Sequence, residues 1–187
     1  MNTKKRCKWC NLKNPLYVKY HDDEWCVPNF DDEYLYEILI LESFQAGLSW
    51  ECVLNKREAF RAAFDGFDVD AVEKYDSAKC ESLLQNPNII RNKLKISATV
   101  KNAKVFKEIQ KEFGSFNAYI WKFTDGKTVF EDYSSRTTSP LSDEISKDLK
   151  KRGMTFVGST IIYSYLQAIG IIYAHGKECD LYKGTTL

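Results

Sequence analysis

The chain has 187 residues, 44 % hydrophobic and 28 % charged. These values exclude a disordered chain, and the length suffices for one large domain or two small ones without any covalent staple. With 27 Lys and Arg against 26 Asp and Glu, the net charge of +1 excludes a long basic arm but leaves room for a local basic face. Four Trp, 11 Tyr and 11 Phe supply core and, beyond it, stacking surfaces for a flat ligand.

The first ten residues, MNTKKRCKWC, lack the apolar stretch of a secretory signal, so a reducing compartment is expected. The six cysteines then read as free thiols or metal ligands rather than disulfides. Asp31 and Asp32 can cap a helix running to about Ala46, which Gly47 ends, and Ser49 can cap a second over Trp50 to Phe64. Short helices over Asp68 to Tyr75 and Ser77 to Gln85 follow, and Asn86-Pro87 breaks the pattern. A long helix spans Asn88 to Phe113, stopped by Gly114, and Ser115 to Phe123 is a short aromatic one. Residues 124–141 read as an irregular polar connection. Ser142-Asp143-Glu144 opens a helix whose end carries Lys147, Lys150, Lys151 and Arg152, matching the helix dipole. Gly153 stops it, Met154 to Gly158 turns tightly, and a last helix runs from Ser159 to about Ala174. Met154 to Gly176 carries no charge, but its Ser, Thr, Gln and Gly content fits a buried core helix better than a membrane span. No alternating strand pattern and no internal repeat are visible, so the chain reads as all-α, a single domain over 1–187 in which two helical lobes are possible.

Three constellations carry chemistry. The glycine-containing hairpin between two helices, Phe156-Val157-Gly158-Ser159, presents backbone N–H groups beside Lys150, Lys151 and Arg152. It could grip a nucleic-acid backbone without reading sequence, or be an ordinary αα-hairpin with a solvated basic end. His175 and Cys179, four apart, would face one way on a helical turn, as zinc ligands do. Together with His21 and either or both of Cys7 and Cys10, they could complete a tetrahedral site stapling the two ends of the chain. Finally, Glu42 falls on a largely apolar helix, near Tyr17, Tyr20, Trp25 and Trp50. A carboxylate beneath stacked rings suits a flat cation; on pattern alone, a surface glutamate among core aromatics is the simpler reading.

Several separate motifs, in order, resemble the 3-methyladenine DNA glycosylase I family: Arg6-Cys7-Lys8-Trp9, Pro15-Leu16-Tyr17 through Tyr20-His21-Asp22-Asp23-Glu24-Trp25, Gln45 through Trp50, Asn88 through Arg91, Lys150 through Gly153, and Phe156-Val157-Gly158. The resemblance covers nearly the whole chain. It implies a helix-hairpin-helix glycosylase fold, one structural zinc on Cys7, His21, His175 and Cys179, a base pocket at Glu42, Trp50, Tyr20, Tyr17, Trp9 and Gln45, and Glu42 as the catalytic carboxylate, with water as the nucleophile. It further implies Leu48 beside Gly47 as a wedge into the base stack, and Phe156 to Ser159 with Lys151 as the phosphate clamp. Where the family commonly has two glutamines before Ala-Gly-Leu, this chain has Phe44-Gln45. The implied activity is hydrolysis of the N-glycosidic bond of 3-methyladenine in double-stranded alkylated DNA, by a cytoplasmic bacterial monomer, releasing the free base and leaving an abasic site. The absence of a lysine from Ser159 to Ala174 argues against a Schiff base and lyase chemistry. A zinc-stapled DNA-binding module without catalysis is the alternative.

Overall fold

The computed structural model describes residues 4–132 and 136–184. The helices are α1 (Pro15–Asp23), α2 (Asp32–Gln45), α3 (Trp50–Leu54), α4 (Arg57–Ala63), α5 (Val69–Val72), α6 (Ser77–Gln85), α7 (Lys93–Phe113), α8 (Phe116–Trp121), α9 (Pro140–Lys151) and α10 (Ser159–Ala168). The chain is mostly helical as expected. Its one departure among the described residues is a parallel pairing of β1 (Val129–Phe130) with β2 (Ile172–Tyr173), so residues 124–141 are not wholly irregular.

α2 is the centre. Every residue from Leu35 to Phe44 is buried, and α7, α8 and α10 pack around it. A helix this apolar on all sides belongs inside a bundle. Asp31 caps it through the Glu33 N–H. Asp32 serves elsewhere, its carboxylate accepting from the Phe116 and Asn117 N–H groups and from Gln110.

Several boundaries move for local reasons. The expected helix over Trp50 to Phe64 is broken at Asn55-Lys56 into α3 and α4; Ser49 caps α3 as expected, accepting from Cys52 N–H. α7 begins only at Lys93, because Asn92 rather than Asn88 caps it. α9 begins at Pro140, capped by Ser139, and Ser142 is the reciprocal partner in that capping box. α1, not foreseen, is nucleated by the Asn14 cap and Pro15 at the first turn.

The expected final helix to Ala174 ends at Ala168. Gly170 turns the chain at φ +76°, and a Cβ there would lie 2.3 Å from the Pro28 backbone nitrogen. That close approach, with Cys26 N–H on the Gln167 carbonyl and Asn29 N–H on the Ile169 carbonyl, seats the C-terminal stretch on the loop after α1. Among the described residues, no helix is long and apolar enough to cross a membrane.

Candidate active site and metal cluster

Seating the C-terminal stretch on that loop brings four separated residues together. Cys7, His21, His175 and Cys179 are all buried, and their ligand atoms lie within 4.8 Å of one another. The Sγ to ring-nitrogen distances are 3.6 Å for Cys7 to His175, 3.6 Å for Cys179 to His21 and 3.5 Å for Cys179 to His175. His175 and Cys179 do not share a helical turn as expected; they flank a tight turn closed by the Cys179 N–H on the Gly176 carbonyl. The cluster gathers two sulfurs and two imidazoles that could hold a metal ion. Burial pulls both imidazoles below their ordinary value, His175 to about 4, so each is neutral and offers a lone pair. Asp22 holds the His21 ring through Nδ1 at 2.8 Å and is itself gripped by both arms of Arg6. The Gly176 N–H points at the Cys7 sulfur. Cys10 lies outside the set and donates to the Tyr17 carbonyl; Cys26 accepts from the Ala174 N–H, and burial pushes its thiol up.

The second feature adjoins the first. Trp9, Tyr17, Tyr20, Trp25, Glu42, Gln45, Trp50, Ser164 and Gln167 line an open cavity of about 150 Å³. A cavity of that size elsewhere admits a benzene-sized ring. The expected base-pocket residues are therefore gathered in one place. Trp25, Ser164 and Gln167 were not among them. Ser164 and Gln167 carried a signal, being a polar pair three apart on the charge-free α10. Trp9 and Trp25 tie the two features together. Trp9 packs on Tyr17 (5.3 Å) and His21 (5.2 Å), and Trp25 packs on Trp9 and His175 (both 4.7 Å). The Tyr20 and Trp50 rings already touch at 5.2 Å, which leaves no room for a flat ligand between them. The Trp50 indole N–H is buried and has no hydrogen-bond partner among the described residues.

Glu42 is the acidic member of the wall. α2 carries two buried glutamates with opposite surroundings. Glu37 is neutralised by Arg57 (2.5 Å) and Arg61 (2.9 Å). Glu42 is 3 % exposed and, among the described residues, has neither an ion pair nor a hydrogen bond. Burial alone pushes its carboxyl up to about 8. Burial likewise pushes Tyr17 up to about 12 and Tyr20 well above its ordinary value, so both phenols are neutral.

At the mouth, Gly47 turns at φ +78° and leaves Leu48 41 % exposed, with Gln45 Nε2 donating to the Leu48 carbonyl at 3.0 Å. The hairpin between α9 and α10 places Lys151 in solvent, half-buries Phe156, Gly158 and Ser159, and buries the Val157 side chain. Ser146 donates to the Val157 carbonyl and Ser142 bonds the Ser159 hydroxyl, fastening the hairpin to α9. Gly158 caps α10 with no side chain, so the first N–H groups of that helix are uncapped.

These features have counterparts in known proteins. The family profile for methyladenine glycosylase matches residues 9–183. The DNA-3-methyladenine glycosylase 1 of Escherichia coli strain K12 is 40 % identical over 183 residues, covering 96 % of this chain and 97 % of that protein. A crystal structure of 3-methyladenine DNA glycosylase I superposes with a TM-score of 0.91 at 41 % identity, over 95 % of this chain and all of that one. The Staphylococcus aureus 3-methyladenine DNA glycosylase I, studied for its 3-methyladenine recognition, superposes at 0.86 with 36 % identity, over 90 % of this chain and 92 % of that one. By profile, by sequence and by fold, the chain belongs to the methyladenine glycosylase family.

Proposed function

We propose that this glycosylase extrudes 3-methyladenine from duplex DNA into the aromatic pocket and hydrolyses its N-glycosidic bond. The observation that carries the reading is Glu42, a carboxyl buried without a partner in the wall of a ring-lined cavity. Methylation at N3 gives the base a positive charge. A cation against Tyr20 and Trp50 gains from the ring faces, and beside Glu42 it favours the carboxylate that burial disfavours. A neutral adenine offers no such compensation, so Glu42 stays protonated beside it. Damaged bases also cost less to unstack.

The charged base departs with the bonding electron pair and becomes neutral, so the bond is already weakened. Water adds to the sugar carbon, and its proton passes to solvent or to the Glu42 carboxylate. Among the pocket residues Glu42 is the only carboxylate, so binding, orientation and charge compensation dominate over acid catalysis. Leu48, held out on the Gly47 turn, would fill the space the base vacates. The uncapped N-terminus of α10, with Gly158 and Lys151, would hold phosphate as a helix-hairpin-helix element does.

The cluster fits zinc. Zn–S near 2.3 Å and Zn–N near 2.0–2.1 Å imply a tetrahedral S···N edge of about 3.6 Å, against the observed 3.5–3.6 Å. Four protein ligands leave no open position, so the ion would be structural, fixing the rings of His21 and His175 that back Trp9 and Trp25.

The test is chromatography of bases released from methylated duplex DNA. Free 3-methyladenine without 7-methylguanine supports the narrow glycosylase; DNA binding without any release refutes the assignment.

A further inference from the structure

On the reading above, two segments meet DNA, the Gly47-Leu48 turn and the hairpin of residues 152–158. No hydrogen bond joins them to each other among the described residues. Both are bonded to α7. Lys95, in the first turn of α7 and 7 % exposed, donates through Nζ to the Phe44 carbonyl (2.7 Å) and the Ala46 carbonyl (2.6 Å). Those oxygens lie at the C-terminal end of α2, where carbonyls lack helical partners, directly before Gly47. Seven residues on, the fully buried Asn102 pairs with the hairpin backbone in both directions. Its amide donates to the Thr155 carbonyl and its oxygen accepts the Thr155 N–H, each at 2.9 Å. Seven residues are two helical turns, so both side chains leave one face of α7, roughly 10 Å apart along it. The far end of α7 adds Glu112, which takes both arms of Arg152.

We propose that α7 is a spacer between the two DNA-contacting segments, and that Lys95 and Asn102 are positioning residues that set its length. Helix ends are commonly capped by glycine or water, and burying an ammonium for that purpose carries a desolvation cost. Here the ammonium also ties the wedge turn to a rigid helix. The hairpin is tied to the same helix by an amide whose two bonds fix its direction as well as its distance. The wedge and the phosphate grip then reach one duplex in a fixed relation, and the leucine enters the stack where the hairpin has bent or held the strand. The proposal rests on the roles given above to Leu48 and the hairpin.

The test compares Lys95→Met, Lys95→Arg, Asn102→Leu, Asn102→Asp, the double variant Lys95→Met/Asn102→Leu, and Leu48→Ala. Three quantities are read: single-turnover release of 3-methyladenine from duplex DNA, affinity for free 3-methyladenine by tryptophan fluorescence, and thermal stability. Lys95→Met and Asn102→Leu should each slow release by about ten-fold or more, since misplacement by one ångström can cost about a hundred-fold. Affinity for the free base should stay within about two-fold, because neither Lys95 nor Asn102 lines the pocket. The double variant should be no slower than the slower single, since either cut frees the spacing, and Lys95→Arg should recover most of the rate. Asn102→Asp is the milder probe if Asn102→Leu does not fold. Equal losses in release and free-base affinity, additive losses in the double, or no loss would each overturn the spacer. A normal rate in Leu48→Ala would instead overturn the wedge reading beneath it.

Discussion

Replacing Glu42 with glutamine should make the protein more stable and less active, by amounts that depend on pH in a defined way. The carboxyl sits at about 8 in the folded chain against 4.5 for the free group. The folded state therefore binds this proton more tightly than the unfolded state. Glu42's contribution to stability is most favourable below about pH 4.5, falls as pH rises towards 8, and levels off above. At 1.36 kcal/mol per pH unit, the cost of keeping Glu42 in place grows by about 3 kcal/mol between pH 5.5 and pH 8. Glutamine keeps the shape but does not titrate, and its own burial cost is the same at both pH values. The stability gap between variant and parent should thus widen by about 3 kcal/mol, or about 6–12 °C in Tm for a domain of this size. Titrations at the metal cluster are common to both proteins and cancel in the difference. Thermal unfolding of both at pH 5.5 and pH 8 measures the gap, and single-turnover base release measures the function. Losing a charged hydrogen bond of about 1.5–3 kcal/mol should slow release by roughly 10- to 150-fold, with DNA affinity changed far less. A Tm gap of the same size at both pH values would refute an uncompensated carboxyl at Glu42, and equal loss in release and DNA binding would refute its role towards the base.

Other outcomes follow from the same geometry. Since kcat/KM reports the free enzyme, it should rise about ten-fold per pH unit below pH 8 and flatten above, and a profile flat from pH 6 to 9 would contradict a need for the Glu42 carboxylate. Leu48→Ala should slow release from duplex DNA by about ten-fold while leaving free-base affinity unchanged, because the side chain stands outside the pocket. Lys151→Ala should weaken binding to any duplex evenly and lower the salt slope by about one, as measured by titration at several salt concentrations. Cys179→Ser, or chelation, should remove one bound metal per chain by elemental analysis, lower Tm by several degrees, and weaken free-base binding through the loosened Trp9 and Trp25.

What could be read from the chain depended on how local each cause is. Ser49 and Gly47 announced a cap and a stop because both act within one turn. The four candidate metal ligands were legible as residue types, but their meeting depends on Gly170 lying against the Pro28 backbone, which no spacing reveals. Cys10 could be separated from Cys7 only once the fold aimed its thiol at the Tyr17 carbonyl. Glu42 and Glu37 look alike in sequence, two acids on one apolar helix. Their difference lies in Arg57 and Arg61, which α4 brings to one and not to the other. The split at Asn55-Lys56 and the early end of the last helix were missed because tertiary packing overrode continuous helical patterns. Ser164 and Gln167 lie in a charge-free segment whose pattern signals burial, but two polar groups on one face of a buried helix need something to face, here the cavity.

The contrast between the two glutamates bears on selectivity. An ion-paired carboxylate such as Glu37 already has its counter-charges in Arg57 and Arg61 and gains little from a passing cation. An unpaired, buried acid gains from a cation what burial took away, and gains nothing from a neutral base. On the proposed reading, the free energy withheld at Glu42 is recovered only when the extruded base is positively charged. Discrimination then comes from the state of the wall before the base arrives, and not from close steric fit in a cavity open to solvent. It also accounts for the economy of the site. A base that leaves neutral needs little proton donation, so one carboxyl can serve recognition and charge balance together. The metal cluster and α7 would supply what that carboxyl cannot, a rigid ring wall on one side and a fixed approach to the duplex on the other.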